Sequence, residues 1–520
     1  MDVRLSLRAP ESAPVVDTLD TLVADRFASR LFDGDGTLWG PAAEEEASIR
    51  LAWTGLATAS RPLVDEIAAL RDDLAGRGIT RVVLCGMGGS SLAPEVICAA
   101  AGVPLDVLDS SQPDMVRSAV HDLESTVVVV SSKSGGTVET DSQRRIFEQA
   151  FADAGLSPAE HLVVVTDPGS PLDEQATEAG YRVFHADPHV GGRYSALTAF
   201  GLVPSGLAGA DIGALLDEAA GVTAACATDH VDNPGLRLGV VLGLAAADGV
   251  DKVALVDHTG HGVGDWIEQL VAESTGKDGT GILPVVAITD SDPVFGDEVV
   301  IDIGGADLPE HPYAGVLDAP LGAQMLVWEV ATAVAGRLLE INPFDQPDVE
   351  SAKAAARDLL GGGAETPAPD AVDADIAIFG SSAGSVEAAV GELLDQVGDA
   401  NYLALQFYLD RWAHSGLEEL VPALATALGR PVTFGWGPRF LHSTGQYHKG
   451  GTPVGVFLQV TADPLADLDI PGRDFTLGEF ISSQAAGDGQ VLADHGRPVL
   501  RLHLSDVENG LVRVRQALSR

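Results

Sequence analysis

The chain has 520 residues, with 76 acidic against 31 basic side chains and a formal net charge of −45. That length exceeds one ordinary domain, so roughly two or three units are expected, each burying its own core. So large an acidic excess argues against a nucleic-acid-binding or anionic-membrane-binding surface, and any phosphorylated ligand needs local positive charge. Hydrophobic residues make up 46% of the chain, a globular rather than a disordered composition. Three cysteines, Cys85, Cys98 and Cys226, are too few for a disulfide framework and read as reduced, buried thiols. With no signal-like N-terminus and no apolar run approaching ~18 residues, the expectation is a soluble, cytoplasmic protein.

In chain order, residues 1–75 show helical spacing, as in Leu19, Leu22 and Val23 and again in Leu63, Ile67 and Leu70, and read as a helical lead-in. From Arg81 the texture changes. The runs RVVLCG, LDVLDSS, STVVVVSS, HLVVVTD and YRVFHAD each close on Gly, Ser or Asp and are each followed by a helical stretch. That alternation predicts a parallel sheet with helices on both faces, over residues 76–220. A second series, DKVALVDH, GILPVVAIT and DEVVIDIG, leads into an apolar helix through Met325, Trp328 and Leu338, and defines a second unit at 221–360. Residues 361–375, rich in Gly, Pro, Ala and acid, read as a linker. Beyond them, 376–520 carries four strand candidates, ANYLALQFYL, RPVTFGWG, PVGVFLQVT and RPVLRLHLS, and reads as a C-terminal α/β region.

Three motifs carry chemistry. CGMGGSS, Cys85 to Ser91, follows a strand and opens a helix, where glycines permit close backbone approach and free N–H groups favour an anion. Alone it also fits a dinucleotide fingerprint, with Asp106 or Asp109 as the ribose acid. SSKSGGTVET then follows a second strand, and its Ser132, Ser134 and Thr137 hydroxyls, Lys133 charge and bare Gly135 and Gly136 backbone form a cradle for a phosphate monoester. A helix cap needs only one or two such hydroxyls. In DWIEQLVAESTGKDG, residues 265–279, Gln269 and Glu273 are four apart and share one helix face. A carboxylate beside an amide suits a general base for a carbon-bound proton; standing alone, the same acid reads as a solvated face.

GMGGS, SKSGGT, VGGRYS, Q-x-x-x-E-S-x-G-K and NPFDQPDVESAK occur in the order seen in glucose-6-phosphate isomerases, and the chain resembles an actinobacterial-type member of that family over about residues 80–355. The resemblance implies two doubly wound sugar-isomerase (SIS) domains in a homodimer. It implies interconversion of glucose 6-phosphate and fructose 6-phosphate with neither metal nor organic cofactor. Carried over by position, Gly89, Ser90 and Ser132, Lys133, Ser134, Gly135, Gly136 and Thr137 would hold the phosphate. Glu273 would be the base, Arg193 would stabilise the enediolate, Gln269 and Gln346 would position the sugar, and Lys353 would assist ring opening.

Two departures from the family pattern stand out. The usual S-K-T-x-T-T is S-K-S-G-G-T here, and the ring-opening motif L-H-S-x-G-Q occurs as Leu441 to Gln446, far downstream of Glu273 and beyond Lys353. That arrangement is similar to the isomerase half of transaldolase–isomerase fusions, and predicts that His442 folds back into the site from the third region. The rival readings are a non-catalytic SIS phosphosugar-binding regulator, a dual phosphoglucose/phosphomannose isomerase and a nicotinamide-dependent oxidoreductase. FDGDGTL, residues 32–38, has the letters of a phosphatase nucleophile loop but no strand before it, and VDHTGHG, with His258 and His261, is too sparse for a metal site. Four of the five lysines, Lys133, Lys277, Lys353 and Lys449, fall in or beside these motifs, which predicts a small positive pocket inside an acidic shell.

Overall fold

The computed structural model describes residues 3–360 and 368–519. Runs of β-branched residues, fully buried in the case of Thr126–Ser131, form the expected strands, because branched side chains suit a pleat covered on both faces. The first sheet contains β2 (Arg81–Gly86), β3 (Asp106–Leu108), β4 (Thr126–Ser131), β5 (Leu162–Thr166) and β6 (Arg182–His185), all parallel in the order β3-β2-β4-β5-β6. The second contains β7 (Lys252–Asp257), β8 (Leu283–Val286), β9 (Glu298–Ile303) and β10 (Ala314–Asp318), parallel in the order β10-β9-β7-β8.

The lead-in departs from its helical expectation at the start. β1 (Arg4–Arg8), with an alternating exposed and half-buried pattern, joins the second sheet antiparallel to β10. Five residues were too few to show a strand period against the helices that follow. The linker expectation also shortens: 361–367 lies outside the described residues, while β11 (Ala371–Asp373) already belongs to the third sheet with β12 (Ile376–Phe379), β13 (Tyr402–Tyr408), β14 (Val432–Trp436), β15 (Gly455–Ala462) and β16 (Val499–Leu504). Of these, β13 to β16 are mutually parallel, and β11 and β12 extend the edge antiparallel.

Numbered within each unit, the parallel strands run 2-1-3-4 in the second and third sheets and 2-1-3-4-5 in the first, a doubly wound order that no sequence repeat announced. Ligands in such sheets sit at the carboxyl ends of strands 1 and 3, where the winding reverses. In the first unit those ends are the loops after β2 and β4, the two glycine-rich motifs.

The third unit is docked on the first by a buried charge network. Asp109, fully buried at the end of β3, accepts from Arg411 at 3.1 Å and Arg439 at 2.5 Å, and Glu95 pairs with the same two arginines at 3.0 and 2.6 Å. This overturns the ribose-acid reading of Asp109, which is sealed beneath the third unit, and Asp106 is ion-paired with Arg81. All three cysteines are buried free thiols, and burial pushes Cys98 and Cys226 up to about 12. No described helix is long and apolar enough to cross a membrane. Removing one partner of a buried ion cluster strands the others, so Asp109→Ala is expected to lower the unfolding free energy by about 3–5 kcal/mol in a denaturant titration. A midpoint equal to wild type would show that the network does not hold the units together.

Candidate functional site

The helix Val263–Thr275 follows β7 and is capped at its start by Asp257, whose Oδ2 accepts from the Val263 N–H at 2.7 Å. It carries Gln269 and Glu273 on one face, one turn apart. Gln269 Nε2 lies 3.0 Å from Glu273 Oε2 and donates to the His442 carbonyl at 2.9 Å, so the third unit does reach the Glu273 helix. Arg193, 3% exposed, stands 3.4 Å from Glu273 Oε1 through Nη1. Its guanidinium is fixed on all sides, by Ser274 Oγ at 2.7 Å, Gln346 Oε1 at 2.6 Å, and the carbonyls of Pro343 and Asp345 at 2.7 and 3.0 Å. Lys277 holds the same 342–345 loop, donating to the Asn342 and Asp345 carbonyls and to Asp345 Oδ1. Burial, with Arg193 nearby, brings this lysine down to about 8.

Three positions without side chains let these elements converge. A Cβ on Gly88 would lie 2.7 Å from the His442 carbonyl oxygen, one on Gly89 2.0 Å from that of Gly192, and one on Gly276 2.4 Å from the Tyr447 Cα. Gln446 locks the last contact, donating to the Gly276 carbonyl at 2.8 Å and to Asp348 Oδ2 at 2.6 Å while accepting from the Asp348 N–H. Ser90, half-buried, closes the short turn Gly88–Ser90 after β2.

Beside this cluster lies a cavity of about 230 Å³ walled by Ser134, Gly136, Thr137, Lys353, His442 and Lys449, among others. The SKSGGT loop therefore divides. Ser134, Gly136 and Thr137 face this cavity, whereas Ser132 and Gly135 line a separate one behind the loop. Lys133 departs from the expected phosphate contact: its ammonium pairs with Asp167 at 2.7 Å and donates to the Val190 carbonyl at 3.1 Å. A flexible, strongly hydrated cation within reach of a half-buried carboxylate takes that partner. The same applies to the predicted positive pocket, since Lys277 is held by Asp345 and Lys449 by the buried Asp488 at 2.5 Å. Lys353 and Arg357, both on the helix Val349–Leu360, line the cavity.

His442 and His448, only six residues apart, differ sharply. His442 Nε2 is 3.0 Å from Glu139 Oε1, and Gln484 Nε2 donates to the same oxygen at 2.6 Å. Burial alone would raise the Glu139 carboxyl, but the facing His442 outweighs it and holds it below its usual value. His448 is sealed against Tyr402, with Nδ1 at 2.8 Å from the hydroxyl, and burial, reinforced by Lys449, brings it down to about 3. Glu139 and Gln484 were missed in the sequence. An acid in the first turn after SKSGGT reads as a partner for the helix dipole, and Gln484 carries no local signal at all. Of the motifs set aside, Asp35 caps a 3₁₀ turn and is held at about 2 by hydrogen bonds from Thr37 and Arg30. His258 faces Asp290 and Asp302, and among the described residues no group of three or more His, Cys, Asp or Glu converges as a metal site would require.

A phosphoglucose isomerase family model matches residues 60–296. A probable glucose-6-phosphate isomerase of Natronomonas pharaonis is 30% identical over 375 residues, covering 61% of this chain and 88% of that protein. The chain belongs to the glucose-6-phosphate isomerase family. A family member from a Cyanothece species is 36% identical over 219 residues, 38% of this chain and 40% of its own. Among solved structures, a hypothetical protein of Thermus thermophilus superposes with a TM-score of 0.58 at 26% identity, over 69% of this chain and 100% of that one. A glucose-6-phosphate isomerase of Chlamydia trachomatis shares the fold, with a TM-score of 0.55 at 21% identity, over 70% and 89% of the two chains.

The family match includes Arg193, Glu273 and Gly276 and ends before Lys353 and His442, so the third-unit residues seated on Gly276 lie outside it. Gly276→Ala forces a methyl against the Tyr447 backbone and is expected to reduce turnover about tenfold or more by moving His442, with the secondary structure retained in circular dichroism. Wild-type turnover in that variant would show that the close contact does not set the site.

Proposed function

We infer that this isomerase-family chain interconverts glucose 6-phosphate and fructose 6-phosphate by moving one proton between C2 and C1 through a cis-enediolate, with Glu273 as the base. The observation that carries the reading is the placement of the Glu273 carboxylate within 3.4 Å of a fully fixed guanidinium, Arg193. A base that removes a carbon-bound proton leaves negative charge on the adjacent oxygen, and a preorganised cation beside that oxygen stabilises it without reorganising. Gln269 and Gln346, each tied to one member of that pair, position the sugar hydroxyls.

Ring opening precedes proton transfer and needs a group that moves protons near neutral pH. His442 fills that role in this reading, since an imidazole can both donate and accept a proton, Glu139 orients its ring, and Lys353 lies on the same cavity wall. The phosphate is taken by the SKSGGT loop through Ser134, Gly136 and Thr137, which are turned toward the cavity, with Gly89 and Ser90 supplied by the turn after β2. The loop ends at the N-terminus of the helix Val138–Asp153, whose free N–H groups favour an anion. The homodimer and the cytoplasmic location implied by the family resemblance belong to the same reading.

In heavy water, wild-type enzyme is expected to incorporate deuterium at C2 of glucose 6-phosphate. Glu273→Gln is expected to lose both this exchange and turnover by about 10²–10⁴-fold. Undiminished activity in that variant removes Glu273 from the mechanism. His442→Ala should slow turnover of the cyclic sugar by a comparable factor, and an unchanged rate assigns ring opening elsewhere.

A further inference from the structure

Behind the SKSGGT loop, on the face turned away from the catalytic cavity, lies the separate cavity of about 110 Å³. Its wall brings together three guanidinium groups, Arg144, Arg145 and Arg473, in a chain whose net charge is −45. They share one carboxylate. Asp141 Oδ1 accepts from Arg144 Nη2 at 2.6 Å, and Oδ2 accepts from Arg145 Nε at 2.7 Å and from Arg473 Nη2 at 2.5 Å. Arg144 also donates to Glu148 through Nη1. Two carboxylates against three guanidiniums leave an excess of one positive charge.

Two residues of this wall each carry a buried polar atom that has no protein partner. Thr140 is 1% exposed and Arg144 8% exposed, and neither the Thr140 hydroxyl oxygen nor Arg144 Nε makes a hydrogen bond. They are four residues apart on the helix Val138–Asp153, one turn above the other on a single face. Leaving a buried guanidinium N–H and a buried hydroxyl unsatisfied is costly unless something fills the site. An acceptor with several oxygens and negative charge satisfies both atoms and the excess charge together, and planar guanidiniums match a tetrahedral oxyanion well.

We propose that this cavity is a second anion site of the protein, built by Arg144, Arg145, Arg473 and Thr140 to take one phosphate group, either inorganic phosphate or the phosphoryl end of a small metabolite. The site stands on its own residues. Its coupling to catalysis rests on the reading of Ser134–Thr137 as the substrate's phosphate loop. Ser132 and Gly135 wall the second cavity while Ser134, Gly136 and Thr137 wall the first, so a phosphate behind the loop bears on the loop that holds the substrate's phosphate in front. Arg473 arrives from the third unit, so occupancy also ties the third unit to the first.

The test is calorimetric titration of the full chain with inorganic phosphate, comparing wild type with the Arg145→Ala/Arg473→Ala double variant, neither residue belonging to the catalytic set. The double variant is expected to bind one phosphate equivalent fewer than wild type, with kcat at saturating substrate unchanged. Equal stoichiometry in the two overturns the proposal. Wild type binding a single equivalent that the variant loses upholds this site and instead removes the phosphate-loop reading of the catalytic cavity. Should the double variant fail to fold, Thr140→Val deletes only the unpartnered hydroxyl. It is expected to weaken the second equivalent about tenfold, and unchanged affinity would again overturn the site. Glycerol phosphate titrated in parallel tells the sources apart: tighter binding than inorganic phosphate assigns the site to an organic phosphoryl group, weaker binding to the free ion, and loss of either in the variants supports the site.

Discussion

The geometry of this site depends on one close approach, that of the His442 backbone to the turn after β2. The His442 carbonyl lies where a side chain on Gly88 would be, and it accepts from the same Gln269 amide that touches Glu273. That amide links a residue of the second unit to one of the third across a turn of the first. Two hydrogen bonds of ordinary length contribute only about 0.5–1.5 kcal/mol each, too little to dock a domain. The docking energy comes from apolar packing, around Tyr447 and where Ile470 and Leu477 of the third unit enter the first unit's core, while the Asp109, Glu95, Arg411 and Arg439 cluster, the glycines and Gln269 fix the register in which that energy is applied.

The charge distribution follows a related logic. An acidic shell works against any dianionic substrate, and the few lysines do not offset it as free charges: Lys133, Lys252, Lys277 and Lys449 are each held by carboxylates of the protein itself. What those near the site achieve is placement. Lys277 and Arg193 grip the 342–345 loop by its carbonyls and so position Gln346, and Lys449 lies beneath the third unit's contribution to the cavity. Local positive charge falls instead to arginine, which keeps its proton when buried and can hold several acceptors at once.

Much of this was legible in the sequence because the signals were local. Short apolar runs closed by Gly or Ser gave the strands of all three sheets with few omissions, and glycine-rich turns after β2 and β4 marked the winding reversal. The one-turn spacing of Gln269 and Glu273 gave their shared face. What escaped depended on partners distant in the chain. β1 is a five-residue edge strand whose partner lies some three hundred residues on, so no local period separates it from coil. Glu139 reads as an ordinary first-turn acid until His442 is brought to it. Lys133 reads as a phosphate ligand until Asp167, from the end of the next strand, is seen to hold it. The sequence order of the motifs carried the family, and the direction in which each side chain points required the fold.

The third unit shows how the same winding can serve a different purpose. In the first unit the glycine-rich motifs lie at the carboxyl ends of the switch-point strands, as doubly wound sheets generally place their ligands, whereas Gln269 and Glu273 of the second unit lie on the middle and last turns of the helix that returns from β7. The third has the same strand order, with a buried polar pair in the middle of its two central strands, β13 and β15. Gln406 and Gln459 face each other in register, bond at 3.1 Å, and connect through Asp488 to Lys449. The third unit's contribution comes from the segment between β14 and β15, which carries Arg439 for docking, His442 for the cavity and Gln446 for the lock on Gly276. A unit built on a ligand-binding topology thus serves as the far wall of its neighbours' site, through one loop that carries the docking arginine, the cavity histidine and the glutamine lock.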